Sequence, residues 1–340
     1  MRNWEDFLGN DALKARLRTM IERHTLPHAW ILLGPRGSGR RTLARLIAAS
    51  LLCEHAGSAA APCGACEACR RVSEGIHPDF ETVLPEEGKS SISVKQIREM
   101  RASMSLSAVE SDYRIFLIGE ADKMSAAAQN ALLISLEEPP DGVFLFLISE
   151  NEEALLPTVR SRAQTVRTEL FEVEQLREYL RGNARFSSLE RQSPKKAAAL
   201  LEGAHGTVGT ALELLGADRL SRVVSERESV DTILAALATP GASAFYEAIR
   251  PLGGLKREDL ASVLSLLGEA LRDLILLKRD SGVSLLYYTE REAAREMSDR
   301  LGIRSLLTLS DAVEEVLEDL AHSANVTVAT TVLLRAATHR

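Results

Sequence analysis

The sequence predicts an α/β fold built on a parallel sheet and followed by a helical C-terminal part. Over roughly the first 165 residues, short apolar runs that suit strands buried on both faces alternate with segments of helical periodicity. From Phe171 onward the β signal fades, and leucine-rich helical periodicity replaces it. Repeated βα units favour a parallel sheet, because two parallel strands need a crossover connection.

Length and composition limit the possible classes of protein. The 340 residues suffice for two or three domains, and 45% apolar residues, 26% charged residues and a net charge of −7 are ordinary for a soluble protein. No apolar run reaches the length of a membrane span, and the N-terminus lacks a signal sequence, so we expect a cytoplasmic protein without a membrane partner. The 4% aromatic content argues against base-stacking platforms for single strands.

The first apolar run leads into a glycine-rich segment. Residues 29–33 read AWILL and predict a buried strand, residues 34–42 read GPRGSGRRT, and helical spacing of leucine and isoleucine follows over 42–52. A strand, a glycine-rich turn and a helix in this order are typical of a phosphate-binding P-loop, G-x-x-x-x-G-K-[ST]. The segment therefore predicts a loop whose backbone N–H groups could cradle phosphate.

This loop lacks the residues that ATP hydrolysis needs. Gly34 and Gly39 keep the spacing, but Arg40 stands at the position of the lysine and Arg41 at that of the hydroxyl that holds magnesium. A guanidinium cannot ligate a cation. A shift of one residue would present Thr42 instead, which leaves an active ATPase open as an alternative. The candidate nucleotide-binding residues, in a degenerate loop where ATP or ADP binding is doubtful, are Gly34, Gly37, Gly39, Arg40, Arg41 and Thr42.

A second predicted strand also ends without a residue that ATP hydrolysis needs. Residues 115–118 are followed by Gly119, where P-loop ATPases carry the aspartate that positions magnesium, and then by Glu120. Asp122 could replace the aspartate only by a shift in register, and it would lie past the strand end. Two losses at one metal site predict a chain that does not hydrolyse ATP.

All four cysteines lie in one short window, CEHAGSAAAPCGACEAC. Sequential x₂ spacings suit thiolates that converge on one metal, and four cysteines leave no open coordination position. We expect a structural zinc ion; an iron–sulfur cluster and free thiols stay open as alternatives. His55 and His77 are nearby spare donors. The predicted zinc ligands are Cys53, Cys63, Cys66 and Cys69.

The remaining pattern completes the element prediction. Strands are expected over 78–84 and 143–148, and helices over 93–104, with Ser93 as N-cap, and over 125–136. Short helices are expected over 174–181, 194–202 and 206–215, and longer ones over 259–278 and 312–320.

The chain resembles the delta-prime subunits of bacterial DNA polymerase III clamp loaders, which are AAA+ proteins. The residues that carry the resemblance are HPDFETVLPEEGKSSISVKQIREM at 77–100, NALLISLEEPP at 130–140, LPTVRSRAQ at 156–164 and the four-cysteine insert. The resemblance implies an AAA+ P-loop-type domain over 1–166 with a zinc module at 53–69. It also implies a small helical lid over 167–217 and an α-helical collar that joins subunits over 218–340.

The resemblance also implies partners and a site that acts on a neighbour. The partners would be gamma/tau and delta subunits in a hetero-pentamer, the sliding clamp, and primed DNA, contacted indirectly or through its backbone. Ser161-Arg162 matches the family's S-R-C motif, with Ala163 in place of the cysteine. The motif's arginine reaches ATP in the neighbouring subunit, as an arginine finger in trans. Arg160 competes for this role if the register shifts.

The segment that the resemblance implies to be the lid differs from active relatives in a third way. Residues 206–211 read GTVGTA and lack the arginine that senses phosphate in those relatives. The leading hypothesis is a clamp-loader subunit without ATPase activity of its own, which helps load the clamp and supplies Arg162 to a neighbour. One alternative is an active gamma/tau-type ATPase. Another is a zinc-containing AAA+ DNA-repair factor, although the basic stripe with aromatic residues expected of such a protein is not visible.

Overall fold

A five-stranded parallel sheet organises the first half of the computed structural model, which describes residues 3–279, 282–283, 285–288, 290–322 and 330–335. The spatial order of the strands is β2-β3-β4-β1-β5, and each neighbouring pair is parallel. The strands are β1 Ala29–Leu33, β2 Phe80–Val83, β3 Arg114–Ile118, β4 Val143–Ser149 and β5 Gln164–Arg167. The predicted parallel α/β class is confirmed.

The apolar runs form strands because both faces of the sheet are covered. Every residue of β1 is buried, and Trp30 pairs in register with Phe146 of β4 on one side and Gln164 of β5 on the other. Successive side chains of β1 enter opposite clusters: Trp30 and Leu32 pack in one, Ile31 and Leu33 in the other. A polar residue inside such a run would lack a partner.

Helices of this half cover the two faces of the sheet. Helices α1 to α3 contribute to the cluster around Trp30, and α4 to α6 to the cluster around Ile31. The expected N-cap of α4 is confirmed: Ser93 accepts a hydrogen bond from the N–H of Gln96, whose side chain bonds back to the N–H of Ser93. The bounds are α1 Asp11–Glu22, α2 Arg40–Leu52, α3 Glu67–Glu74, α4 Val94–Met104, α5 Ala126–Glu137 and α6 Pro157–Arg160.

The described elements after β5 are all helical, as expected. Leucine, valine and isoleucine side chains from α11, α13 and α15 form the third apolar cluster, in which Leu264 and Val316 are fully buried. The bounds are α7 Val173–Arg181, α8 Ala184–Gln192, α9 Pro194–Gly203, α10 Val208–Leu214, α11 Ala217–Leu237, α12 Ala242–Ile249, α13 Arg257–Lys278, α14 Arg291–Arg300 and α15 Ile303–Ala321. Among these described residues, none of the helices is long and apolar enough to cross a membrane.

The chain forms two compact units. One is Met1–Phe171 together with Thr207–Thr210, and the other is Glu172–Gly206 together with Ala211–Arg340. The division into domains 1–166, 167–217 and 218–340 stays a prediction. The sequence prediction did not include α1 or β5, and β2 is shorter than expected at both ends, because only residues 80–83 pair with β3.

Candidate functional site

The predicted P-loop lies between β1, the second strand from one edge of the sheet, and the N-terminus of α2. Gly37 and Gly39 adopt positive φ angles of 81° and 87°, a conformation that residues with a side chain rarely adopt. A Cβ atom at Gly39 would lie 2.8 Å from the ring of Phe7. The glycine spacing read from the sequence therefore gives the expected tight turn into a helix.

Arg40, at the position of the lysine, is turned into the protein. Its residue is 7% exposed, and its Nη2 donates to Oε1 of Glu150 at 2.9 Å. Glu150 directly follows β4, at the same sheet edge as the P-loop. Nη1 of Arg40 is buried and has no hydrogen-bond partner among the described residues. The cation that would face phosphate in an ATPase is thus paired internally through one of its two terminal nitrogens.

Arg41, at the position of the hydroxyl, pairs with the other strand end. Its Nη2 lies 3.1 Å from Oε1 of Glu120 and 3.2 Å from the carbonyl oxygen of Gly119. Lys123 approaches the second oxygen of Glu120 at 2.7 Å. Lys123 first, and then Arg41, lower the pKa of Glu120, so this carboxylate is ionised and engaged by two cations. The residue that could polarise water is committed to ion pairs.

The metal position at the end of β3 has no carboxylate. A Cβ atom at Gly119 would lie 2.5 Å from Cδ2 of Leu84 and 3.6 Å from Nη2 of Arg41. An aspartate there would require Leu84 to move and would then stand beside a guanidinium. Asp122 lies in a 3-10 turn over Ala121–Lys123, beyond the end of the strand. Thr42 is half-buried in the first turn of α2.

The segment Thr207–Thr210 packs against the tip of the P-loop. The N–H of Gly209 donates to the carbonyl oxygen of Gly37 at 2.9 Å, and Oγ1 of Thr210 donates to that of Arg36 at 3.4 Å. A Cβ atom at Gly209 would lie 2.7 Å from Cα of Gly37. Only glycine fits this approach of two backbones, so an arginine at 209 would separate the segment from the loop. Sequence reasoning noted the missing arginine but not this contact.

The four cysteines converge as predicted. Their Sγ atoms all lie within 4.8 Å of one another, and Cys53 and Cys66 are 3.9 Å apart. Tetrahedral ligands at about 2.3 Å from zinc would be about 3.8 Å apart, so the cluster has the dimensions of a Cys₄ site. Among the described residues His77 is not grouped with these thiols, and its Nδ1 accepts a hydrogen bond from the N–H of Asp79. His55 is exposed and contributes only its backbone N–H, to Cys53.

The thiols differ in their surroundings. Backbone N–H groups of Ala65 and Cys66 lower the pKa of Cys63 to about 6, which favours its thiolate. Burial raises the pKa of Cys53 and Cys69, so these thiols need a bound cation to ionise near neutral pH. Thiolate donors in a four-fold set suit zinc. The cluster fits a structural metal ion that fastens the start of α3 to the end of α2.

The predicted finger, Arg162, lies just after α6, with its side chain 35% exposed. Its Nε donates to Oε1 of Glu137 at 2.6 Å and its Nη2 approaches the same oxygen at 2.5 Å. Nη1 donates to the carbonyl oxygen of Thr158 and to Oγ of Ser161. Arg160 is half-buried, and its buried Nε has no partner among the described residues. Sequence reasoning did not identify Glu137, which α5 brings to Arg162 from 25 residues away.

Comparisons with known proteins show which proteins this chain is similar to. Residues 9–172 match the family model described as DNA polymerase III, delta subunit. DNA polymerase III subunit delta′ of Pseudomonas aeruginosa is 42% identical over 135 residues, which are 40% of this chain and 41% of the relative. DNA polymerase III subunit gamma/tau of Mycobacterium bovis is 29% identical over 345 residues, which cover 94% of this chain and 58% of the relative.

A solved structure similar to this chain is that of a gamma subunit-related protein of DNA polymerase III from Thermotoga maritima. It has 17% sequence identity and a TM-score of 0.41, and covers 95% of this chain and 98% of its own. This chain spans about half the length of the curated relatives it matches, 41% and 58%. The chain thus matches the delta-subunit family of DNA polymerase III over residues 9–172, and part of it is similar to the delta-prime subunit.

Proposed function

We propose that this chain is a non-hydrolysing subunit of the DNA polymerase III clamp loader. In this role it would supply Arg162 to the ATP site of a neighbouring subunit. The similarity to delta-prime and gamma/tau subunits supports membership of the clamp loader. Its partners would be gamma/tau and delta subunits, the sliding clamp and primed DNA, in the cytoplasm.

The observation that carries the proposal is the pairing of both P-loop arginines with the acids at the two strand ends. Arg40 binds Glu150 and Arg41 binds Glu120, so the cations and anions that would hold phosphate and magnesium satisfy one another. Magnesium would have to displace a guanidinium to reach Glu120, against charge repulsion. These pairs support a loop without catalytic activity.

The remaining features of the loop support the same role. Thr207–Thr210 lies against its tip, and Gly119 offers no carboxylate for a metal. Arg162, in contrast, is at the surface and on a short turn between α6 and β5. A guanidinium at the surface is able to reach a phosphate on another subunit, where a finger is typically worth about 10³–10⁵ in rate.

The Cys₄ cluster has a structural part in this proposal. A zinc ion bound by the four thiolates would be coordinatively closed, so it would stabilise the connection from α2 to α3 and activate no water. Helix α3, which follows the cluster, is also held by an ion pair between Arg71 and Glu110.

A second candidate function is an active gamma/tau-type ATPase, and the match over 94% of the chain to a gamma/tau subunit favours it. Magnesium-dependent ATP turnover by the isolated chain separates the two. We expect turnover at the level of a no-protein blank, and no shift of the melting temperature by millimolar Mg·ATP. Turnover that depends on Arg40 would establish the ATPase and refute our proposal.

A further inference from the structure

We infer that Glu137 is a positioning residue for Arg162, one that orients the guanidinium toward the neighbouring subunit's phosphate. The inference rests on the proposed role of Arg162 and extends it to the acid at the end of α5. The two side chains are separated by 25 residues in the chain and meet at 2.5–2.6 Å.

The hydrogen bonds of Arg162 show how Glu137 could orient it. An arginine side chain has five N–H donors in one plane. Nε donates to Oε1 of Glu137, and Nη2 lies 2.5 Å from the same oxygen. Nη1 donates to the carbonyl oxygen of Thr158 and to the hydroxyl of Ser161. Among the described residues, Nη2 has no partner besides Glu137. Glu137 thus holds the inner edge, Nε and Nη2, of the guanidinium.

The outer edge is bound more weakly. Within the described part of the chain, Nη1 contacts two acceptors, both neutral and both from its own turn, at 3.0 and 3.2 Å. Neutral acceptors hold a cation less strongly than a carboxylate does. A phosphate arriving from outside could therefore take both N–H donors of Nη1 and the open one of Nη2, while Glu137 keeps the inner edge in place.

Glu137 and Arg162 lie on different kinds of element, a packed helix and a short connection, so the helix can hold the side chain of Arg162 in place. Glu137 is the last residue of α5, a helix fixed by the fully buried Ala128 and Leu132 and by Leu136. Arg162 lies in the short connection from α6 to β5. The negative end of the α5 dipole also favours a cation at this point. A long side chain on a turn is in this way tied to a fixed helix end, which lowers the entropy cost of reaching the phosphate.

The pair leaves the guanidinium able to respond to phosphate. The side chains of Arg162 and Glu137 are 35% and 49% exposed, so water screens their attraction. We therefore expect a partial effect when Glu137 is changed, a fall of roughly five-fold in turnover at the neighbouring site, against about 10³-fold when the finger itself is removed.

The test uses a reconstituted clamp loader that contains the full chain, with DNA-stimulated ATP turnover as readout. Glu137→Gln should lower kcat at the adjacent site while KM for ATP stays unchanged, because ATP is bound by the neighbour's own loop. Glu137→Asp keeps the carboxylate and should restore part of the activity. The matched control is Glu138→Gln, which removes the same charge from the next residue, an exposed acid that is not a partner of Arg162.

A double variant separates positioning from a general structural effect. If Glu137 acts through Arg162, Glu137→Gln should add nothing to Arg162→Ala. Unchanged or higher turnover with Glu137→Gln, while Arg162→Ala still lowers it, would overturn this inference alone. Unchanged turnover with Arg162→Ala would instead refute the proposed finger, and with it this inference.

Discussion

Replacing Glu150 by alanine should destabilise the first unit markedly, because it removes the acid that pairs with the buried Arg40. The guanidinium side chain is 8% exposed, and its Nη1 already lacks a partner among the described residues. A lost hydrogen bond to a charged group costs about 1.5–3 kcal/mol, and the 53% exposure of Glu150 places the loss near the lower end. For a unit of this size, 2 kcal/mol corresponds to a fall of about 4–8 °C in melting temperature.

Tryptophan fluorescence is a selective assay for this unit, because both tryptophans of the chain, Trp4 and Trp30, lie in it. The control is Glu120→Ala, whose partner Arg41 has a side chain 49% exposed; that change should cost no more than about 1 kcal/mol. Adding Arg40→Met to Glu150→Ala should recover stability, since the unpaired buried charge is then gone. Equal melting temperatures for Glu150→Ala and Glu120→Ala would show that the burial of Arg40 does not raise the cost of losing its partner.

Three further changes test other parts of the account. Cys69→Ser should lower the bound zinc, measured by a colorimetric assay, from about one ion per chain to far less. It should also reduce the melting temperature, measured by fluorescence. An unchanged zinc content would contradict a Cys₄ site. Asp79→Asn should cost about 1.5–3 kcal/mol at neutral pH. Burial alone would raise the pKa of Asp79, but hydrogen bonds from Val109, Glu110 and Ser111 lower it overall. The stabilisation that Asp79 provides should therefore be lost as pH falls through its folded-state pKa. In urea unfolding at several pH values, the free energies of unfolding of the variant and the parent should converge in acid, and a constant difference would contradict this. Arg40→Lys with Arg41→Thr should not restore ATP turnover, because Gly119 still offers no carboxylate for magnesium; a coupled assay that detects turnover would show that the loop substitutions alone disable the site.

The local patterns of the sequence predicted the local structure well. The run AWILL became a fully buried strand, and Ser93 became the N-cap of α4 as expected, because short-range spacing determines both. The cysteine spacings predicted a convergent cluster, since x₂ spacings place consecutive thiols on one side of a turn. The short β5 escaped prediction because its burial pattern, with one buried residue, resembles that of a loop.

The missed contacts of the site join distant parts of the chain. Arg40 and Glu150 are 110 residues apart, and Arg162 and Glu137 are 25 apart. The sequence showed only that residues 206–211 lack an arginine, whereas the structure shows that Gly209 packs against the backbone of Gly37. Pairings of this kind follow from strand order, which a single sequence does not determine.

In the proposed function, this chain acts on a neighbour's ATP through Arg162 and has no turnover of its own. The most direct measurement is DNA-stimulated ATP turnover by a reconstituted clamp loader with Arg162→Ala, with the isolated chain and Arg167→Ala as controls; Arg167 is an exposed arginine paired with Glu152. We predict that the isolated chain is silent, that Arg167→Ala is without effect, and that Arg162→Ala removes the share of turnover that belongs to one neighbouring site. Turnover by the isolated chain, or a loader unaffected by Arg162→Ala, would contradict the account.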